Sequence, residues 1–202
     1  MRKLLLGVTL AAAAAAAQAG GQASLSCSGG YYGVPTLSIT YTPGADAGNP
    51  GLTWVGVLSP DQMVGAVLDI TNSWTTYNGG LYPPNARFDG GIPGTVTVSV
   101  PFPGDAYGNT PTNTSAWVGY SIYMGHGIYT SDAATMVANR RTYLNSVKAE
   151  RQAKGTWRAE YDDDTRFMWS LVQKNMVDKG KYGAVLTIPF LDCAPPDNGG
   201  GG

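Results

Sequence analysis

The chain has one histidine and two cysteines, and between Lys3 and Arg140 it carries a single basic residue, Arg87. Each scarcity excludes something. One His and two widely separated Cys cannot assemble a usual four-ligand zinc site, and no CxxC redox motif is present. A long stretch almost without Lys or Arg offers no clustered positive face, so nucleic acid is not an expected partner. No motif implies a cofactor. No apolar run reaches the roughly 20 residues that a membrane-spanning helix needs.

The first residues read as an address. Arg2 and Lys3 precede an apolar stretch over residues 4–17, and Ala17-Gln18-Ala19 is a small-x-small cleavage sequence. Residues 1–19 are therefore expected to be a signal peptide, with cleavage after Ala23 as the alternative. Leu25 stands one position too late for a lipobox ahead of Cys27. Losing Arg2 and Lys3 leaves eleven basic against fourteen acidic residues, a net charge of −3. The mature form is expected to be periplasmic or secreted, without a membrane span. In such a compartment Cys27 and Cys193 are expected to pair. That bond closes a loop of 166 residues. The chain-entropy model gives such a loop roughly 5 kcal/mol as an upper figure, and the geometry brings the two Cα atoms to about 5.5 Å.

Gly, Thr, Ser, Tyr and Pro dominate up to about residue 130, where apolar residues follow a two-residue period. Strands are expected over residues 36–42, 52–58, 64–70, 74–77, 95–100 and 117–124. In the second of these, Leu52, Trp54 and Gly56 take one face and Val55 and Val57 the other. Pro- and Gly-containing turns such as Pro43-Gly44, Asn49-Pro50-Gly51 and Asn78-Gly79-Gly80 separate the runs. After Thr130 the period changes. Ser131 or Asp132 can cap a helix carrying Met136, Val137, Tyr143, Leu144 and Val147, ended by Gly155. A second helix starts near Asp162-Asp163-Asp164, carries Phe167, Met168, Leu171, Val172 and Met176, and ends at Gly180. Residues 182–191 return to strand. The expected fold is mainly β: an antiparallel β-sandwich or open barrel, then a two-helix segment and a returning C-terminal strand. Residues 24–194 read as one β-rich domain with a helical insert at about 131–180, and residues 195–202 as a disordered tail.

The basic residues that do occur, ten of thirteen, lie between Arg140 and Lys181 among six carboxylates. That mixture describes a solvated helix surface. The Asp162-Asp163-Asp164 run is a candidate calcium ligand set, but it lacks the D-x-D-x-D-G spacing and already serves a helix start. His126, in Met124-Gly125-His126-Gly127, is the one available base for a Ser-His-Asp hydrolase, and its flanking glycines would let the backbone approach a ligand. No GxSxG elbow accompanies it. As a structural residue it reads as an exposed turn histidine between strand and helix. The aromatic residues of the β half are more suggestive. Trp54, Trp74, Tyr77, Tyr82, Phe88, Tyr107, Trp117, Tyr120 and Tyr123 sit where charge is sparse, and such rings beside Asn and Asp grip neutral sugars or protein partners. Trp74, Tyr77 and Tyr82 are the preferred candidates, with Trp54 and Trp117 expected in the core. The function expected is that of an exported, disulfide-closed, non-enzymatic binding or surface-appendage-associated protein, its partner a protein or neutral glycan at the cell surface. The alternatives are a glycan-binding module in the narrow sense, a secreted hydrolase using His126, and a purely structural component.

Overall fold

The computed structural model of the protein describes residues 20–29, 33–102 and 111–194. The expected signal peptide, the expected disordered tail and Tyr107 lie outside them. In chain order the strands are β1 (Gly20–Ser28), β2 (Val34–Thr42), β3 (Gly51–Leu58), β4 (Gly65–Leu68), β5 (Trp74–Thr76), β6 (Ala86–Phe88), β7 (Val96–Val100), β8 (Ser121–Ile128) and β9 (Tyr182–Thr187), with α1 (Ser131–Ala153) and α2 (Thr165–Asp178) between β8 and β9. They form two antiparallel sheets, one ordered β1-β2-β7 and the other β5-β4-β3-β8-β9, with β6 also on β3. Neither closes into a barrel.

Alternation along the strands builds the core between the sheets. Leu37, Ile39 and Tyr41 of β2 and Val96, Val98 and Val100 of β7 meet Val55, Val57, Leu68, Ile122 and Met124 of the second sheet. The opposite face of β3 carries Leu52 and Trp54, which pack with Val172 and Met176 of α2. The first half of β3 is thus buried on both faces, and the two-sided pattern of its sequence has a cause: a sheet on one side, a helix on the other. Both helices stop at glycines with positive φ, Gly155 (64°) and Gly180 (60°), a conformation that costs a residue without Cβ little.

Several expectations need correction. The cap of α1 is Thr130, whose hydroxyl accepts from the Ala133 N–H at 3.1 Å. Met136 and Tyr143 are exposed, because α1 docks mainly on α2 and buries only Ala133 and Leu144. The strand expected from residue 117 starts later: Ser115–Trp117 is a single 3₁₀ turn, and β8 runs through Gly-His-Gly to Ile128. Strands β1 and β6 were not expected, one being rich in small residues and the other three residues long.

Cys27 and Cys193 are bonded, with Cα atoms 5.5 Å apart. Strand β9 reaches the first strand by packing rather than pairing. It hydrogen-bonds to β8 and lies beside β1, where Gly21 makes room: a Cβ there would stand 2.6 Å from Val185 Cγ1. Among the described residues no helix is long and apolar enough to cross a membrane.

Candidate functional site

Strand β8 sends His126 inward, and the ring is fully buried between the sheets. It is therefore not an exposed turn residue. Nε2 lies 2.7 Å from Asp46 Oδ2, and Nδ1 lies 2.6 Å from the Tyr41 hydroxyl. A carboxylate only accepts, so Nε2 carries the proton and the neutral ring accepts the Tyr41 O–H at Nδ1. Lys181 Nζ donates to the same Asp46 oxygen at 2.6 Å and to Asn175 Oδ1 at 2.9 Å. Asn175 in turn accepts the Ile128 N–H. One polar chain thus joins β2, the turn after it, β8, α2 and the approach to β9.

The electrostatics follow from that burial. Burial pulls the His126 pKa below its ordinary 6.5, outweighing the Asp46 hydrogen bond and charge that pull it up. For Asp46, burial pushes up, but hydrogen bonds and charge from Lys181 and His126 together hold the carboxyl below its ordinary value. Burial, then the Asp46 charge, pushes the Tyr41 phenol up to about 12. A carboxylate, an imidazole and a hydroxyl in line resemble a catalytic relay on paper. Here the hydroxyl is driven away from ionisation, both ring nitrogens are occupied, and no described cavity reaches the ring. Thr53, opposite His126 in the β3–β8 register, is buried with its hydroxyl unpartnered among the described residues, but it is equally closed to solvent.

The glycines beside His126 serve packing. A Cβ on Gly125 would stand 2.6 Å from Tyr182 Cβ and 2.9 Å from Met176 Sδ, and one on Gly127 would collide with the Val172 carbonyl of α2. What comes close to the backbone here is a helix.

The outer face of the same sheet holds an open groove of about 330 Å³. The register explains it. Gly56 of β3 lies between Val67 of β4 and Tyr123 of β8, and Trp54 is followed across the sheet by Gly125 and Tyr182. Small residues in the middle and rings at the sides leave a trough. Tyr77 and Tyr82 form one wall, their ring centroids 4.5 Å apart; Tyr123, Tyr182, Met176 and Val177 form the other. Tyr82 is fixed at both backbone ends, its N–H donating to Gln173 Oε1 at 2.7 Å and its carbonyl accepting Trp54 Nε1 at 3.0 Å. The hydrogen bond with Tyr77, then burial, pushes the Tyr82 phenol up to about 12, so it stays a neutral donor. No charged side chain lines this groove.

Of the preferred candidates, Tyr77 and Tyr82 come together and Trp74 does not join them. Trp74 pairs with Leu68, packs on the inter-sheet core and donates Nε1 to the Pro101 carbonyl at 2.8 Å. His126 faces away from the groove, on the other side of the sheet. Tyr182 and the partners Tyr41, Asp46 and Lys181 were not singled out from sequence. The acidic run is dispersed among separate partners: Asp162 with Lys148 and Trp157 Nε1, Asp163 with the Thr165 N–H, and Asp164 with Arg140 and Arg141. Among the described residues no group of three His, Cys, Asp or Glu is placed to hold a metal ion. Comparison with protein-family models, with curated proteins and with solved structures finds no match for the chain.

Proposed function

We propose that this is an exported, non-enzymatic binding protein that takes a neutral glycan in the tyrosine-lined groove. One observation carries the reading: an open groove of about 330 Å³ walled by Tyr77, Tyr82, Tyr123 and Tyr182, with Trp54 in its lining and no charged side chain. Flat rings cover the apolar face of a sugar, and phenols supply hydrogen bonds at their edges. A charged ligand would lose its hydration there without gaining a counter-charge. The size sits at the small end of the ~300–1,000 Å³ range of small-molecule clefts. A protein partner would cover a broader surface, ~800 Å² on each side. The leader-like N-terminus and the Cys27–Cys193 bond support export.

The test is an array of neutral oligosaccharides probed with the wild-type protein and with Gly56→Val. A Cβ on Gly56 meets nothing closer than the Ala66 carbonyl at 3.5 Å, so a side chain there fits the sheet while filling the groove. The expected result is saccharide binding by wild type that is lost in Gly56→Val at an unchanged melting temperature. Equal binding by both proteins, or no binding of any neutral saccharide by wild type, would remove the reading.

A further inference from the structure

The sandwich is closed along one side and open along the other. On the closed side β1 packs against β9 and the disulfide joins Cys27 to Cys193. On the open side β7 is the last strand of its sheet, and beside it runs a second groove of about 450 Å³, bounded across the gap by Asn72, Asn85, Ala86 and Phe88. Among the described residues the outward backbone edge of β7 pairs with nothing. Exposed edge strands are ordinarily protected by charge, proline or a bulge. Strand β7, Val-Thr-Val-Ser-Val, has no charge and no proline, and its register with β2 is unbroken.

The sequence of that edge is complementary to itself. Val96, Val98 and Val100 face the core while Thr97 and Ser99 face out. If a second β7 lies antiparallel to the first with Val98 opposite Val98, then Val96 meets Val100 and Thr97 meets Ser99, so core faces core and hydroxyl faces hydroxyl. The outer face of the sheet continues through the same junction. Its rows read Ser24, Ser38, Ser99 and Gln22, Thr40, Thr97. In the antiparallel arrangement the first row of one copy runs on into the second row of the other, and Thr and Ser side chains directly across strands hydrogen-bond. An isologous contact of this kind closes after two copies and leaves no open end.

We infer that the occupant of the β7 edge is the β7 edge of a second copy, the two sheets joining into one of six strands about a two-fold axis at Val98. This does not depend on the groove of the proposed function, which lies on the outer face of the other sheet.

Sedimentation equilibrium of the mature, disulfide-bonded protein tests it. Wild type should show a reversible monomer–dimer equilibrium. Thr97→Lys combined with Ser99→Lys places like charges opposite each other twice and should weaken the dimer at least tenfold. Thr97→Lys combined with Ser99→Glu places opposite charges together at the same two points and should restore it. Both positions are exposed, so both variants should melt like wild type. A wild type that stays monomeric at every concentration would overturn the inference. So would a dimer unmoved by either pair of changes, or one that both pairs weaken equally, since then the edge or the register is wrong.

Discussion

The two faces of β8 hold the two most unusual features of the molecule, and they differ in kind. Inward, His126 has acid–base chemistry, an aspartate and a phenol in hydrogen-bond reach, and no exposure. Outward, Tyr123 and Gly125 border an open groove with no charged side chain in its lining. The inner network joins two sheets and a helix and behaves as a core element that happens to be polar. The outer groove leaves apolar ring faces uncovered, the kind of surface on which the proposed binding rests. Residue type offered both the aromatics, led by Trp74, Tyr77 and Tyr82, and, for a hydrolase, His126. Placement transfers the argument to the tyrosines.

The largest test concerns whether the inner core depends on the chain ends. Replacing Cys27 and Cys193 by serine together should lower the stability to unfolding by about 2–5 kcal/mol, measured by denaturant titration, while the groove, which is built from the other sheet, the loop after β5 and α2, stays able to bind. Loss of both properties together would mean the two faces are not independent.

Next comes the inner network itself. Asp46→Ala leaves the Nε2–H of His126 and the ammonium of Lys181 without their common acceptor, a loss of about 3 kcal/mol. The pH dependence follows from the same groups. His126 has a depressed pKa in the fold, so below its ordinary 6.5 the unfolded chain takes the proton first, and stability present above that pH declines as pH falls. Asp46 is also depressed, so its contribution is present above its ordinary 3.8 and is lost as pH falls through the folded value. Melting temperature should therefore be level from neutrality up to the ordinary phenol value of about 10, decline above it because the unfolded chain gives up the Tyr41 and Tyr82 protons first, and decline in two stages on acidification. Asp46→Asn should diminish the lower stage, which Asp61, Asp69, Asp162 and Asp163, also held below their ordinary value, share. A melting temperature that rises between pH 7 and pH 5 would contradict the placement of His126.

A smaller effect separates buried from exposed positions on the helical layer. Leu144→Ala should cost about 2–3 kcal/mol, the range of a buried leucine whose site partly collapses. Leu171 is half-buried and should cost less, and Met136→Ala should change stability by less than about 0.5 kcal/mol. Equal losses at Leu144 and Met136 would mean α1 is covered on its outer side.

Much of the architecture is legible in local pattern because the physical cause is local. The split of Leu52 and Trp54 from Val55 and Val57 is a period of two, and the stops at Gly155 and Gly180 are single-residue conformations. The parity that separates Trp74 from Tyr77 was equally legible: three positions along a strand lead to opposite faces. The site was not, because its members meet only through register. Tyr82 reaches Tyr77 across a loop, and Tyr182 joins Tyr123 only after two helices have intervened. Asp46 and Tyr41 lie 80 and 85 residues before the histidine they hold. His126 itself looked exposed because it read as a turn between strand and helix, whereas it lies inside β8 and its flanking glycines, read as room for a ligand, mark the place where α2 presses on the sheet.

The claim that recognition belongs to the outer face is tested most directly by titration calorimetry of two single variants against the saccharide that the array selects, at a temperature where both are folded. Tyr82→Ala should lose about 2 kcal/mol of binding free energy, roughly 30-fold in Kd, the scale of an aromatic hot spot. Asp46→Asn, which disturbs the polar network around His126, should bind as wild type does. Undiminished binding by Tyr82→Ala together with loss in Asp46→Asn would place the function at His126 and contradict the account.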